Sequence, residues 1–162
     1  MAEKTFRDTF SLETSSSDMA LHCKESFSPD IQQREISDPS MVTLLAEIKS
    51  QLVGFAQIRL VSSTACVVTK HTSELYRLYV SNEWHGKGVA HKLMPEVFAT
   101  AAGVKSECIW LGVWEHNSRA VSFYRKNNFE ICGEHIFQLG NDPQRDLIMV
   151  AQVGEKYANV SY

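Results

Sequence analysis

Little in this chain would brace it other than a core of its own. Only four of its 162 residues are cysteine, Cys23, Cys66, Cys108 and Cys132. No two of them stand as C-x-x-C, so neither a zinc ribbon nor a thioredoxin-type pair is expected. Cys108 and Cys132 fall in apolar, strand-like runs and read as small hydrophobes. His22-Cys23 is an isolated pair without the further ligands a metal needs, and no metal is expected. Positive charge is also short. Sixteen Lys and Arg against nineteen Asp and Glu leave a net charge of −3, which argues against nucleic acid or an anionic membrane as the main partner. No apolar run approaches the ~20 residues of a membrane span, and no opening segment reads as a secretory signal. A reducing cytoplasm is the expected location. What remains is an ordinary globular balance, 44% hydrophobic and 22% charged. The length fits one domain, residues 1–162, able to bury about two-thirds of its unfolded surface.

Along the chain, residues 3–10 and 18–27 read as short helices, the second capped by Asp18. A third starts at Ser28-Pro29-Asp30, with Pro29 near its first position. No strand is expected ahead of the first helix. Val42–Ile48 and Leu52–Val61 are apolar runs joined by Lys49-Ser50-Gln51, which reads as a hairpin. Glu74–Val80 is strand-like. A helix from Gly88 to Ala102 carries Val89, Leu93, Val97 and Ala101 on one face, with a kink expected at Pro95. Glu107–Trp114 is a buried strand, and Ser118–Asn127 a helix that Asn117 can cap. Ile131–Leu139 and Leu147–Val153 read as closing strands joined by the Gly140–Asp146 turn. The alternation predicts a mixed α/β domain with a parallel crossover at its centre.

The segment from Val80 to Met94 carries the most chemical information. A strand runs into a loop with Gly86 and Gly88, and a helix follows at once. The first turn of a helix offers free backbone N–H groups and the positive end of the dipole, which together hold a phosphate. Glycine lets the backbone approach an anion closely. A plain tight turn would need the same glycines, and the spacing is neither a Walker loop nor G-x-G-x-x-G.

The spacing Val80-x4-His85-x2-Gly88-x-Ala90 resembles the pyrophosphate loop of GNAT acetyltransferases, with His85 where the family has Arg or Gln. Downstream, Leu111–His135 resembles the other half of the family's cofactor site: Asn117, Ala120, Phe123, Tyr124 and Phe129 fall in the matching places, and Asn128 replaces the usual Gly. The resemblance spans roughly Val42 to Val153. A narrower likeness, through LGVWEHN, FYRKNNF and EHIFQLGNDPQRDLIM, is to the PaiA-type polyamine acetyltransferases. The family implies an α/β fold whose mixed, mostly antiparallel sheet has a central parallel pair splayed around the cofactor. Helices lie on both faces, and the first edge strand is absent here.

The same resemblance implies that acetyl-CoA lies against Leu78, Tyr79, Val80, His85, Gly86, Lys87, Gly88, Val89, Ala90, Asn117 and Tyr124. Tyr124 is placed beside the sulfur as general acid, a role open to a phenol that is protonated at neutral pH. A core tyrosine is the plainer alternative. Glu74 is the candidate base, since residues 74, 76, 78 and 80 of a flat strand share one face; a solvent-exposed strand-end glutamate is the alternative. Tyr76 could instead position a water. The expected acceptor is a small amine of polyamine type, held by carboxylates among Glu74, Glu115, Asp142 and Asp146. A protein N-terminus or an aminoglycoside is also chemically compatible, as is a homodimer. A coenzyme A-binding sensor without turnover is the competing function, and the presence of Tyr124, Glu74 and both cofactor motifs favours the enzyme.

Overall fold

Lys49 and Ser50 both adopt left-handed backbone, at φ 51° and 62°, the reversal that a two-residue hairpin requires. It joins β1 (Met41–Ile48) to β2 (Gln51–Arg59) in antiparallel register, Ile48 against Gln51. The computed structural model describes residues 1–11, 14–67, 69 and 71–154. Ahead of the hairpin lie α1 (Ala2–Phe10), α2 (Ser16–Phe27) and α3 (Pro29–Ser37). After it come β3 (Thr72–Val80), a 3-10 turn at Asn82–Trp84, α4 (Val89–Gly103), β4 (Cys108–Trp114), α5 (Ser118–Lys126), β5 (Glu130–Leu139) and β6 (Asp142–Gln152). The sheet order is β1-β2-β3-β4-β6-β5, and only β3 and β4 run parallel. Among the described residues no strand precedes α1, and β1 is an outer strand.

The parallel pair is short. It holds at Thr72–Cys108, Ser73–Ile109 and Glu74–Trp110. Beyond these residues β3 and β4 diverge, so the later backbone of β3 has no sheet partner on that side. A bulge accompanies the divergence. Gln57 faces Arg77 but Ile58 faces Leu75, leaving Tyr76 as the extra residue. The expected single face for residues 74, 76, 78 and 80 is therefore broken, because an inserted residue reverses the alternation. Leu75 and Leu78 now meet the same core, and Glu74 points to the opposite face with Arg59.

Each face of the sheet carries its own apolar cluster. On one face, Met94, Val97, Phe98 and Ala101 of α4, with Val121 and Tyr124 of α5, pack on Ile58, Leu75, Ile109, Leu111 and Met149. Helix α4 runs on through Pro95. On the other face, Phe6 of α1 and Met19, Cys23 and Phe27 of α2 cover Phe55 and Leu139. Buried Arg77 fastens this layer: it pairs with Glu35 and donates to the Ser26 carbonyl at 2.9 Å and to Gln57 Oε1 at 3.1 Å. His22 stacks on Phe6, with Phe137 and Phe27 at its edges, and burial lowers its basicity.

Three further expectations change. Ser15, rather than Asp18, caps α2 by accepting the Asp18 N–H at 3.1 Å. Asp18 reaches across instead and accepts the Asn141 N–H at 2.8 Å. Cys132 is no loose hydrophobe: it is disulfide-bonded to Cys66, whereas Cys108 is free and buried as expected. The Gly140–Asp146 turn shrinks to Gly140-Asn141, and Asp142–Asp146 belong to β6. Pro143 is tolerated because β4 ends at Trp114, opposite Asp146, so no third strand needs its missing N–H.

Candidate active site

The divergence of β3 from β4 opens a passage through the sheet. On the α4–α5 side is a cleft of about 390 Å³, walled by Leu78, Val80, His85, Gly86, Val89, Ala90, Phe123 and Tyr124 among others. On the α1 side is a cavity of about 230 Å³, walled by Phe6, Thr9 and Phe10 of α1, Tyr76–Val80 of β3, Gly112–Trp114 of β4, Phe137, Gln144 and Asp146. The two share Leu78, Val80, His85, Arg119, Ala120 and Tyr124. Tyr124 thus stands where the two openings meet. It is buried against Phe123 and Phe129, and burial alone pushes its phenol above its ordinary value, so it stays protonated.

One end of the cleft is built by the loop into α4. Gly86 and Gly88 have φ of 73° and 82°, a region that costs other residues about 1–2 kcal/mol. The first bond into the helix runs from the Lys92 N–H to the Gly88 carbonyl at 3.1 Å. The amides of Val89, Ala90 and His91 therefore lie in the unbonded first turn, where the dipole is positive. His85 lies between Val80 and Arg119. Its Nδ1 is 2.7 Å from Arg119 Nη1, and its Nε2 is 2.8 Å from the Val80 carbonyl. A guanidinium can only donate, so Nδ1 accepts and Nε2–H donates to Val80. Burial, and the Arg119 charge after it, lower the basicity of His85 and keep it neutral.

The sequence-derived site residues divide as follows. Leu78, Tyr79, Val80, His85, Gly86, Val89, Ala90, Asn117, Tyr124, Tyr76 and Asp146 line the passage. Lys87 turns aside over the Trp84 ring, 4.9 Å away, and Gly88 serves as the N-cap of α4; neither is in the wall. Asn117 Oδ1 accepts the Ala120 N–H at 3.1 Å, the capping role. Glu74 does not reach the cavity. Past the bulge, at the closed end of the parallel pair, its Oε2 accepts from Arg59 at 3.1 Å and from the Ser62 hydroxyl at 2.8 Å. Glu115 is committed to Arg145 at 2.8 Å, and Asp142 accepts from Gln144 at 3.0 Å. Asp146 is the one carboxylate among the described wall residues.

Sequence reasoning missed Arg119, His135 and the aromatic wall of α1. Arg119 is the second residue of an otherwise ordinary amphipathic helix, and nothing local marks it. A model of the acetyltransferase (GNAT) family matches residues 5–129. The chain belongs to the GNAT family. An N-acetyltransferase of Mycobacterium bovis is 35% identical over 118 residues, which is 73% of this chain and 71% of that one. The PaiA N-acetyltransferase of Thermoplasma acidophilum, solved with coenzyme A, superposes with a TM-score of 0.71 at 23% identity, over 93% of this chain and 87% of its own. A mutant spermidine N-acetyltransferase of Vibrio cholerae gives a TM-score of 0.62 at 20% identity, over 82% and 76%. This GNAT protein is accordingly an N-acetyltransferase that takes its acetyl group from acetyl-CoA. No described helix is long and apolar enough to cross a membrane.

Proposed function

We propose that the enzyme acetylates a primary amine of a small polyamine, with Tyr124 protonating the departing coenzyme thiolate. The observation that carries this reading is the passage itself, with Tyr124 at the junction of its two openings. Acetyl-CoA fits the α4–α5 side, its pyrophosphate at the amides of Val89–His91 and its arm along the unpaired edge of Leu78 and Val80. Those residues supply amides for the anion, an extended backbone edge for the pantetheine amides, and Arg119 for remaining negative charge. The acceptor fits the α1 side. At about 230 Å³ that cavity is below the ~300–1,000 Å³ of pockets for drug-sized ligands, which favours a slender chain over a multi-ring aminoglycoside. Phe6, Phe10, Trp114 and Phe137 give aromatic faces for ammonium groups, and Asp146 gives one carboxylate. The PaiA-like segments and the structural likeness to a spermidine N-acetyltransferase agree with this acceptor class. The reading puts the enzyme in the cytoplasm, where the reducing pool would hold Cys66 and Cys132 as thiols.

The test is competition among spermidine, a peptide amine and an aminoglycoside at equal concentration, read as relative kcat/KM. Spermidine is expected to be preferred at least tenfold, with the preference falling as salt is added. A preference for the peptide amine would overturn the polyamine reading and leave the acetyltransferase in place.

A further inference from the structure

The cavity on the α1 side has a second feature, which its acid does not explain. Gly112 on β4 leaves a gap that two side chains fill. A Cβ there would stand 3.1 Å from His135 Cε1 and 3.5 Å from Asp146 Oδ2. Those side chains come from neighbouring strands, since His135 pairs with Asp146 across β5 and β6, and Asp146 with Trp114 across β6 and β4. His135 Nε2 lies 4.0 Å from Asp146 Oδ2. Asp146 is 14% exposed and His135 40%, so one member faces the cavity and the other reaches solvent. The other titratable or charged groups in the wall are Tyr76, Arg77 and Tyr79 on β3, His85 in the loop, and Arg119 and Tyr124 on α5. None of them carries a carboxylate, and Glu74 is engaged elsewhere.

We propose that Asp146 is the catalytic base of this acetyltransferase, with His135 the positioning residue beside it. This rests on the amine-acetylation reading above. The acceptor enters as an ammonium. Asp146 takes a proton from it, and the freed lone pair forms the C–N bond at the thioester carbonyl carbon. The nitrogen then gives up a second proton to Asp146, each proton passing from the carboxyl to water. Collapse of the tetrahedral adduct breaks the C–S bond, and sulfur takes a proton from Tyr124, which is refilled from solvent. Two protons leave nitrogen and one arrives on sulfur, so one is released per turnover.

The environment suits that task. Burial raises the Asp146 carboxyl from 3.8 to about 6, and His135 opposes the rise. It is thus a stronger base than an exposed aspartate yet mostly ionised at pH 7.5. The sign for stability follows. A folded value above the unfolded one means that the ionised carboxylate opposes folding above pH 6, and that this cost fades as pH falls toward 4.

The experiment is the pH dependence of kcat and kcat/KM, from pH 5 to 10, for the wild type, Asp146→Asn, Asp146→Glu and His135→Gln. Acetyl-CoA affinity and melting temperature are measured alongside. For the wild type the rate should fall below about pH 6. Asp146→Asn should lower kcat about 10²-fold at pH 7, the loss shrinking toward pH 10 as the free amine forms by itself. Its melting temperature at pH 7.5 should be equal or higher, and its acetyl-CoA affinity unchanged. Asp146→Glu should recover part of the rate. His135→Gln should move the low-pH limb upward, because the neighbour that opposes the rise in the Asp146 carboxyl is gone. A change in KM alone, or an Asp146→Asn profile parallel to the wild type at every pH, would overturn the assignment. If Asp146→Asn does not fold, His135→Gln with an unmoved limb would overturn it equally. Failure of the wild type to acetylate any amine would instead overturn the reading beneath it, and a peptide preference with the Asp146→Asn loss intact would overturn only the acceptor class.

Discussion

Tyr124 serves packing and, in the proposed reading, chemistry as well. Its ring belongs to the cluster under α4 and α5, so removing the ring would cost stability, whereas removing only the hydroxyl leaves the contacts with Phe123 and Phe129 in place. Tyr124→Phe is therefore expected to keep the fold and the acetyl-CoA affinity while kcat falls about 10²–10⁴-fold, the usual contribution of a general acid. Single-turnover measurements check this even if product release limits steady-state turnover. The sequence exposed Tyr124 through the Asn117-to-Phe129 pattern. It placed Glu74 on the face of Leu78 and Val80, where the structure does not put it, because one inserted residue at Tyr76 reverses every side chain beyond it.

At the scale of elements, the loop into α4 determines the cofactor end, and its geometry separates two effects. Nothing lies within 4 Å of a Cβ placed on Gly88, so bulk alone is harmless there, but φ is 82°. Gly88→Ala should weaken acetyl-CoA binding by roughly 5–30-fold, corresponding to the ~1–2 kcal/mol of left-handed strain if it is relieved by moving the amides. Gly88→Glu should weaken it at least tenfold more, since it adds a negative charge at the helix end where the proposed reading puts the pyrophosphate. Calorimetric titration with acetyl-CoA distinguishes the two. A second element-scale effect is the extent of β6. GNDPQRD has the composition of a long turn, yet β5 pairs with it as far as Asp142. Asp146 therefore sits in the middle of three strands, where its position is fixed far better than a loop would fix it.

Over the whole molecule, the Cys66–Cys132 bond ties the connection between β2 and β3 to β5, 66 residues away. The closed loop contains β3, α4, β4 and α5, so the whole lining of the α4–α5 side lies inside it, while α1 and Asp146 on the other side lie outside. A cross-link of this span restricts the unfolded chain and typically contributes about 2–4 kcal/mol. The reduced protein, or Cys132→Ser, is expected to melt on the order of 10 °C below the oxidised form, at ~2–4 °C per kcal/mol for a chain of this length. Scanning calorimetry with and without reductant checks it. Equal melting temperatures would show that the bond contributes nothing to the fold.

The sequence by itself determined the order of helices and strands, the glycine turn into α4 and the place of Tyr124. These depend on local quantities: apolar period, glycine where φ is positive, and a capping Asn117. Only the tertiary structure decided which carboxylate looks into the cavity, how Arg119 meets His85, and that Cys66 reaches Cys132. Each of these depends on strands or loops far apart in the chain, and on a bulge and a strand end whose positions are settled by pairing across the sheet rather than by any residue's own preference.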